Sequence, residues 1–246
     1  MRFLFLLFCG LIFFPKASAQ RAYIDDFTIR GATYLTDQDC FRLTEAEDYT
    51  AGSIWYKRPI SLAEPFAVEL SIMMGCEDRS GADGMVFIMT PQSNQLGYLG
   101  EGIGFSGLRP SVGIEIDTWR NYHLDDPAED HLAIMLNGRV GHANDLAGPN
   151  VIPNIEDCRR HSFIVMWNPQ VKQLSVRIDG QERIAAQVDL LAVFGGNPQV
   201  YWGMSAATGR YNNIHEVCFD RVSYQDEILP VDPGSFPPMR KRWGKD

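Results

Sequence analysis

Short runs rich in β-branched, aromatic and aliphatic residues are separated by Gly, Pro, Asn and Asp along most of the chain, which is how strands divided by turns read. PFAVELSIMMG (65–75), GMVFIMT (84–90), SVGIEIDTW (111–119), HLAIMLN (131–137), HSFIVMWN (161–168), QLSVRIDG (173–180) and QVYWGMSAAT (199–208) predict strands. An IDGQ turn leads into QERIAAQVDL, which continues the meander, and NIHEVCFDRVSYQ (213–225) predicts a long final strand. Helical periodicity is confined to one turn around DLLAVFG (189–195). Many strands with almost no helix predict an all-β fold, an antiparallel β-sandwich formed as a single domain. No internal repeat interrupts it.

Both ends of the chain break the pattern. In MRFLFLLFCGLIFFPKASAQ one basic residue precedes an apolar run from Phe3 to Phe14, and a small-residue ASA site comes before Gln20. That order reads as a signal peptide over residues 1–19, and the run is too short to span a bilayer. Residues 20–228 then form the domain. PVDPGSFPPMRKRWGKD supplies a Pro-rich, basic tail over residues 229–246 with no core of its own. The expected location is therefore exported: periplasmic, cell-surface or secreted.

Composition narrows the partners. The 246 residues are 45% hydrophobic, enough for one large all-β domain, and carry a net charge of −9. Losing Arg2 and Lys16 with the leader makes the remainder more negative still. Nucleic acid and anionic membranes are poor partners for such a field; a cation or a neutral ligand suits it. Cys40, Cys76, Cys158 and Cys218 remain after the leader is removed, an even number that suggests two disulfides in an exported chain. Three connectivities are open, and Cys40–Cys76 with Cys158–Cys218 is the expected one. No CxxC spacing points to structural zinc.

EIDTWRNYHLDDPAEDH (115–131) concentrates ligand atoms. Glu115 and Asp117 lie two apart on a strand and project from one face. The alternation stops after Trp119, Asp126-Pro127 marks a turn, and a new apolar run starts at His131. Carboxylates gathered this way repel one another unless a cation joins them. Ca²⁺ takes carboxylate, amide and carbonyl oxygens, and His131 adds a nitrogen suited to a transition ion such as Mn²⁺ or Zn²⁺. A solvated acidic surface loop is the competing reading, and the D-x-[DN]-x-[DN]-G pattern of an EF-hand is absent.

These residues resemble the metal-binding signature of the L-type (legume-like) lectins: an acid-x-Asp-Thr strand end, then an aromatic, an Asn, an Asp-Pro and a His. GADGMVFIMTP (81–91), LGYLG (96–100) and WGMSAATGRYNNIHEV (202–217) resemble three further segments of that family in the same order. The resemblance covers residues 22–228 and identifies the chain as an exported bacterial member. It implies a concanavalin A-like jelly-roll sandwich that binds glycans without cleaving them. By the match, Asp117, Asn121, Asp126 and the backbone carbonyl of Trp119 would hold Ca²⁺. Glu115, Asp117, Asp126 and His131 would hold a transition metal such as Mn²⁺. The sugar would meet Asp83, the backbone N–H of Gly97, the amide of Asn121 and the face of Trp119, with Arg210 and Tyr211 on the loop that sets monosaccharide preference. The resemblance also implies a cis Ala82–Asp83 peptide and is compatible with a homodimer.

The chain departs from the family at two places. Arg210 and Tyr211 stand where a small residue and an acid are usual. The serine that supports the transition ion through water is missing, with Gly141 at its position and His142 next. His123, His142 and His161 are read as surface or packing residues, and His215 as structural. Glycoside hydrolases share this architecture and use a Glu-x-Asp-x-(x)-Glu strand, but Trp119 and Arg120 occupy the place of the second glutamate. Double displacement needs both carboxyls, so an enzyme is the lesser reading. A metal-stabilised adhesive module without sugar binding is the other.

Overall fold

A computed structural model describes residues 24–224. The leader and the basic tail assigned from the sequence lie outside the described residues. Fifteen strands follow one another: β1 (Phe27–Gly31), β2 (Tyr34–Leu35), β3 (Cys40–Thr44), β4 (Ala51–Tyr56), β5 (Ile60–Ser61), β6 (Phe66–Met73), β7 (Gly84–Thr90), β8 (Val112–Asp117), β9 (His131–Leu136), β10 (Ala147–Val151), β11 (His161–Asn168), β12 (Gln173–Ile178), β13 (Gln181–Gln187), β14 (Gln199–Ala207) and β15 (His215–Tyr224). One short helix, α1 (Leu190–Val193), sits where the sequence suggests a helical turn.

The strands form two antiparallel sheets, one ordered β1-β4-β14-β7-β8-β9-β10 with β5 beside β14, the other β13-β12-β11-β6-β15-β3-β2. Alternation along β8 explains the layering. Val112, Ile114 and Ile116 join the core between the sheets, while Gly113, Glu115 and Asp117 point to the opposite face of the first sheet. That outer face has a smaller apolar cluster of its own, including Trp55, Val86, Ile88, Phe105, Ala133 and Met135. The connection from Pro91 to Pro110 covers it. Trp55 Nε1 and Ser53 Oγ donate to the Gln95 carbonyl (2.7 and 2.8 Å), and Ser205 Oγ donates to the Ile103 carbonyl (2.8 Å).

The strands expected from residue 65 onward are present, with ends that shift by a residue or two. β1 to β5 and β10 carry weaker signals: β1 is mostly exposed, and β10 reads AGPNV with a proline inside it.

The disulfides differ from the expected pairing: Cys40 joins Cys218 and Cys76 joins Cys158. Sheet order is the reason. β15 lies between β3 and β6, which places Cys218 directly opposite Cys40 in the ladder. Cys76 follows β6 and Cys158 precedes β11, its antiparallel neighbour. Among the described residues no helix is long and apolar enough to cross a membrane.

Candidate functional site

The centre of the site is a register of three strands. Asp117 of β8 lies opposite His131 of β9 and opposite Gly84 of β7; Glu115 lies between Ala133 and Val86. Asp117 therefore has an imidazole on one side and a glycine on the other. The glycine is obligatory, since a Cβ at Gly84 would sit 2.4 Å from the Ile116 carbonyl oxygen of the neighbouring strand.

Beyond β8 the chain turns back on itself. Tyr122–Leu124 form a single 3-10 turn that Asp125 ends in the left-handed region (φ 68°), which aspartate tolerates better than most residues. The turn returns Asp126 to the strand ends, where its Oδ2 accepts the Asn121 N–H at 2.6 Å. Asp117 Oδ1 accepts the Trp119 N–H at 2.7 Å. Ligand atoms of Asp117, Asp126 and His131 lie within 4.8 Å of one another, and so do those of Glu115, His131 and His142. Glu115, Asp117, Asp126 and His131 are all buried.

Burial pushes the Glu115 and Asp117 carboxyls well above the usual carboxylate range, and neighbouring acids add to it; the His142 imidazole partly offsets this at Glu115. Glu115 Oε1, Asn121 Oδ1, His131 Nε2 and His142 Nε2 are buried without a hydrogen-bond partner. Buried polar atoms are seldom left so, and their chemistry, carboxylate and amide oxygens beside imidazole nitrogens, fits a cation.

His142 corrects the reading of it as a surface or packing residue. It belongs to the cluster, on a 3-10 turn (His142–Asn144) between β9 and β10, and its side chain is 3% exposed. Nδ1 bonds Asp145 Oδ2 at 2.7 Å and lies 3.5 Å from Glu115 Oε1, while Nε2 lies 3.1 Å from Asp126 Oδ1. Burial alone would lower its pKa, but the surrounding Asp126, Asp145 and Glu115 carboxylates outweigh burial and lift it to about 10. The one signal for it in the sequence is its place beside the missing serine.

Asp83 stands at the rim. The Ala82–Asp83 peptide is cis, as the resemblance implies. The Asp83 N–H donates to the Ala207 carbonyl and its own carbonyl accepts from Thr118 N–H (both 3.1 Å). The side chain is thereby left free, with Oδ2 unpartnered. Burial, then the nearby Glu101 charge, raises its pKa to about 7. Gly209 forms part of its floor, where a Cβ would come within 3.3 Å of Oδ2. Behind it, buried Glu156 accepts from Asn213 Nδ2 (2.8 Å) and packs so close to Gly81 that a Cβ there would lie 1.9 Å from its Oε1, a contact the sequence reading missed.

The aromatic edge is shared. Trp119 stacks on Tyr211 with centroids 4.4 Å apart, and Arg210 beside it is exposed. Asn121 Nδ2 reaches toward Glu101 Oε2 (3.5 Å), which also meets His123 Nε2 at 3.0 Å. Glu101 is thus a rim residue the sequence reading did not single out. Gly97 does not offer the free donor expected of it, because its N–H is donated to the Gly104 carbonyl at 2.7 Å. His161 is held between Asp157 and Asp179 on the other sheet, away from the cluster.

Residues 19–221 match the family model described as the legume lectin beta-barrel domain. A galactose-binding lectin of Arachis hypogaea is 35% identical over 180 residues, which is 64% of this chain and 62% of that protein. The match therefore spans less than two thirds of that relative. Among solved structures, peanut lectin with a nine-residue peptide superposes with a TM-score of 0.68 at 24% identity, covering 82% of this chain and 93% of that one. Lectin II from Ulex europaeus gives a TM-score of 0.70 at 18% identity over 82% and 93% of the two chains. The lectin from Bauhinia forficata in complex with GalNAc gives 0.68 at 21%, with the same coverages. These structural likenesses establish the fold.

Proposed function

The chain belongs to the L-type (legume) lectin family, and on that premise we propose that it is an exported, non-catalytic domain that binds glycans in a calcium-dependent way. The observation that carries the reading is the convergence of partnerless buried atoms, Asp83 Oδ2 at the rim and the Asn121, Glu115 and His131 atoms behind it, on one corner of the first sheet. Asp117, Asn121, Asp126 and the Trp119 carbonyl would hold Ca²⁺; Glu115, Asp117, Asp126 and His131 would hold a transition ion. When bound, the ions neutralise the gathered carboxylates and fix the Asn121 loop before a ligand arrives.

The chain's own groups then read a sugar. An ionised Asp83 accepts hydrogen bonds from two hydroxyls, and bonds to a charged acceptor are the stronger kind. Asn121 has its N–H committed to Asp126 and its Nδ2 turned outward, so it donates to a ring or hydroxyl oxygen. The Trp119–Tyr211 pair supplies an apolar wall for the carbon face of a pyranose, and Arg210 and Glu101 line the approach. With Tyr211 in place of an acid, one hydrogen-bond acceptor is exchanged for stacking area, and preference shifts toward sugars presenting an apolar patch on that side. The two disulfides support the exported location.

Retention on immobilised mono- and disaccharides in calcium, followed by EDTA, tests this reading. Retention and release by EDTA support it. Passage through every column in calcium, with metal bound to the protein, would replace it by a metal-stabilised module without sugar binding.

A further inference from the structure

We propose that His142 is a direct ligand of the transition ion, so that this cluster is a two-histidine centre favouring a borderline ion such as Zn²⁺ over Mn²⁺. The proposal rests on reading the cluster as a metal centre, and adds to it a ligand one residue beyond the position where the family resemblance would place a water-bridging serine.

The two histidines are prepared in the same way. His131 Nδ1 faces the Glu129 carbonyl at 3.2 Å and His142 Nδ1 faces the Asp145 carboxylate at 2.7 Å. In each case an acceptor beside Nδ1 favours the Nδ1–H tautomer and would leave Nε2 to a metal ion, which displaces any proton there; ligating histidines are oriented in this way. In each case Nε2 is buried and has no hydrogen-bond partner. The rings meet edge to face, with centroids 5.2 Å apart and an interplanar angle of 79°. Both Nε2 atoms belong to the same group of carboxylates: His131 Nε2 is 3.8 Å from Glu115 Oε1, and His142 Nε2 is 3.1 Å from Asp126 Oδ1.

A simple ion pair accounts less well for His142. An imidazolium Nε2–H paired with Asp126 alone would donate in line, whereas the 3.1 Å contact is close but poorly aligned. Nor is the side chain filling space as an apolar residue would, since Asp126, Asp145 and Glu115 surround it. A nitrogen placed beside carboxylate oxygens but out of line with them fits a common ion between them. Two imidazoles with carboxylates suit Zn²⁺, Ni²⁺ or Co²⁺, whereas Mn²⁺ is weakest in the divalent series and favours oxygen.

The test uses the full mature chain, stripped of metal and returned to calcium. Titration with Zn²⁺ and Mn²⁺ by competition against a chelating indicator reads the affinities. Wild type is expected to prefer Zn²⁺, His142→Ala to lose at least about tenfold in Zn²⁺ affinity, and Asp145→Asn to lose less, with calcium affinity unchanged in both. Proton spectra of the Co²⁺-loaded wild type need no variant: two hyperfine-shifted, exchangeable imidazole N–H signals are expected, one from each ligating ring. A single signal, an unchanged Zn²⁺ affinity in His142→Ala, or no transition-ion binding at all would overturn the proposal. Calcium-dependent sugar retention is measured on the same samples. Its loss counts against the functional reading, while one imidazole signal with sugar retention intact counts against His142 alone.

Discussion

Asp117 and His131 face each other across adjacent strands of the first sheet, in register, with both side chains on the outer face. Fourteen positions of chain separate them in sequence, and the loop that makes that detour contains Asn121 and Asp126. A strand pair thus sets the two fixed ends of the cluster and the loop folds back between them. The site is rigid where the sheet holds it and depends on a ligand where the loop does.

That division makes chelation a stability experiment. Stripping the cations leaves Asp117 and Asp126 buried together, with the His142 imidazole offsetting only part of the charge at Glu115. An ion present at about a hundred times its Kd stabilises the folded state by about 2.7 kcal/mol. EDTA is therefore expected to lower Tm by roughly 5–10 °C, with reversal on adding calcium. A scanning-calorimetry trace unmoved by EDTA would show that no resident cation supports the fold.

Asp83 is expected to separate binding from folding. Its Oδ2 has no partner, so Asp83→Ala leaves no other buried group unsatisfied while removing the charged acceptor. Glycan binding should fall by at least about a hundredfold, the cost of one charge-assisted pair of hydrogen bonds. Tm should stay within a few degrees of wild type. Normal binding by the variant would move the sugar site elsewhere.

The Trp119–Tyr211 stack predicts a smaller and more selective effect. Aromatic contacts of this kind are worth about 0.5–1.5 kcal/mol. Tyr211→Ala is expected to weaken the best glycan by about three- to tenfold and to leave calcium affinity unchanged. Tyr211→Asp should reorder the preferred sugars as well. Identical glycan rankings for both variants and wild type would remove Tyr211 from the specificity loop.

His215 supplies a pH dependence far from the cluster. It is fully buried in β15, its Nδ1 is 2.7 Å from Thr44 Oγ1, and burial lowers its pKa to about 3. The unfolded chain takes up a proton near pH 6.5 and the folded chain does not. Stability is therefore complete above about pH 6.5 and is lost as pH falls toward 3. Between pH 7 and pH 4 His215→Gln should lose about 3 kcal/mol less than wild type. Denaturant unfolding of both proteins at pH 7 and at pH 4 gives the comparison; equal losses would mean that His215 does not titrate on unfolding.

Much of this was legible in the residues. Strands such as GMVFIMT and HSFIVMWN are continuous apolar runs because both faces of β7 and β11 are covered, and such runs are easy to read. The acids at 115, 117 and 126 and the imidazole at 131 lie in a single stretch, so their convergence needed one hairpin and no knowledge of the rest. What escaped was set by topology. Cys40–Cys218 depends on β15 entering between β3 and β6, and Cys76–Cys158 on β11 pairing with β6, which no local pattern records. His142 depends on the path of the β9–β10 connection, and Glu101 on how the long loop caps the outer face. Gly97 looked available as a donor because its bond to Gly104 is made within that loop.

The most direct test of the central claim is a glycan array probed with the mature protein in calcium, after chelation, and again with calcium restored. The account predicts binding to a defined set of glycans that disappears with EDTA and returns with calcium. Binding that persists through chelation, or a blank array in calcium from a protein that carries its metal, would contradict it.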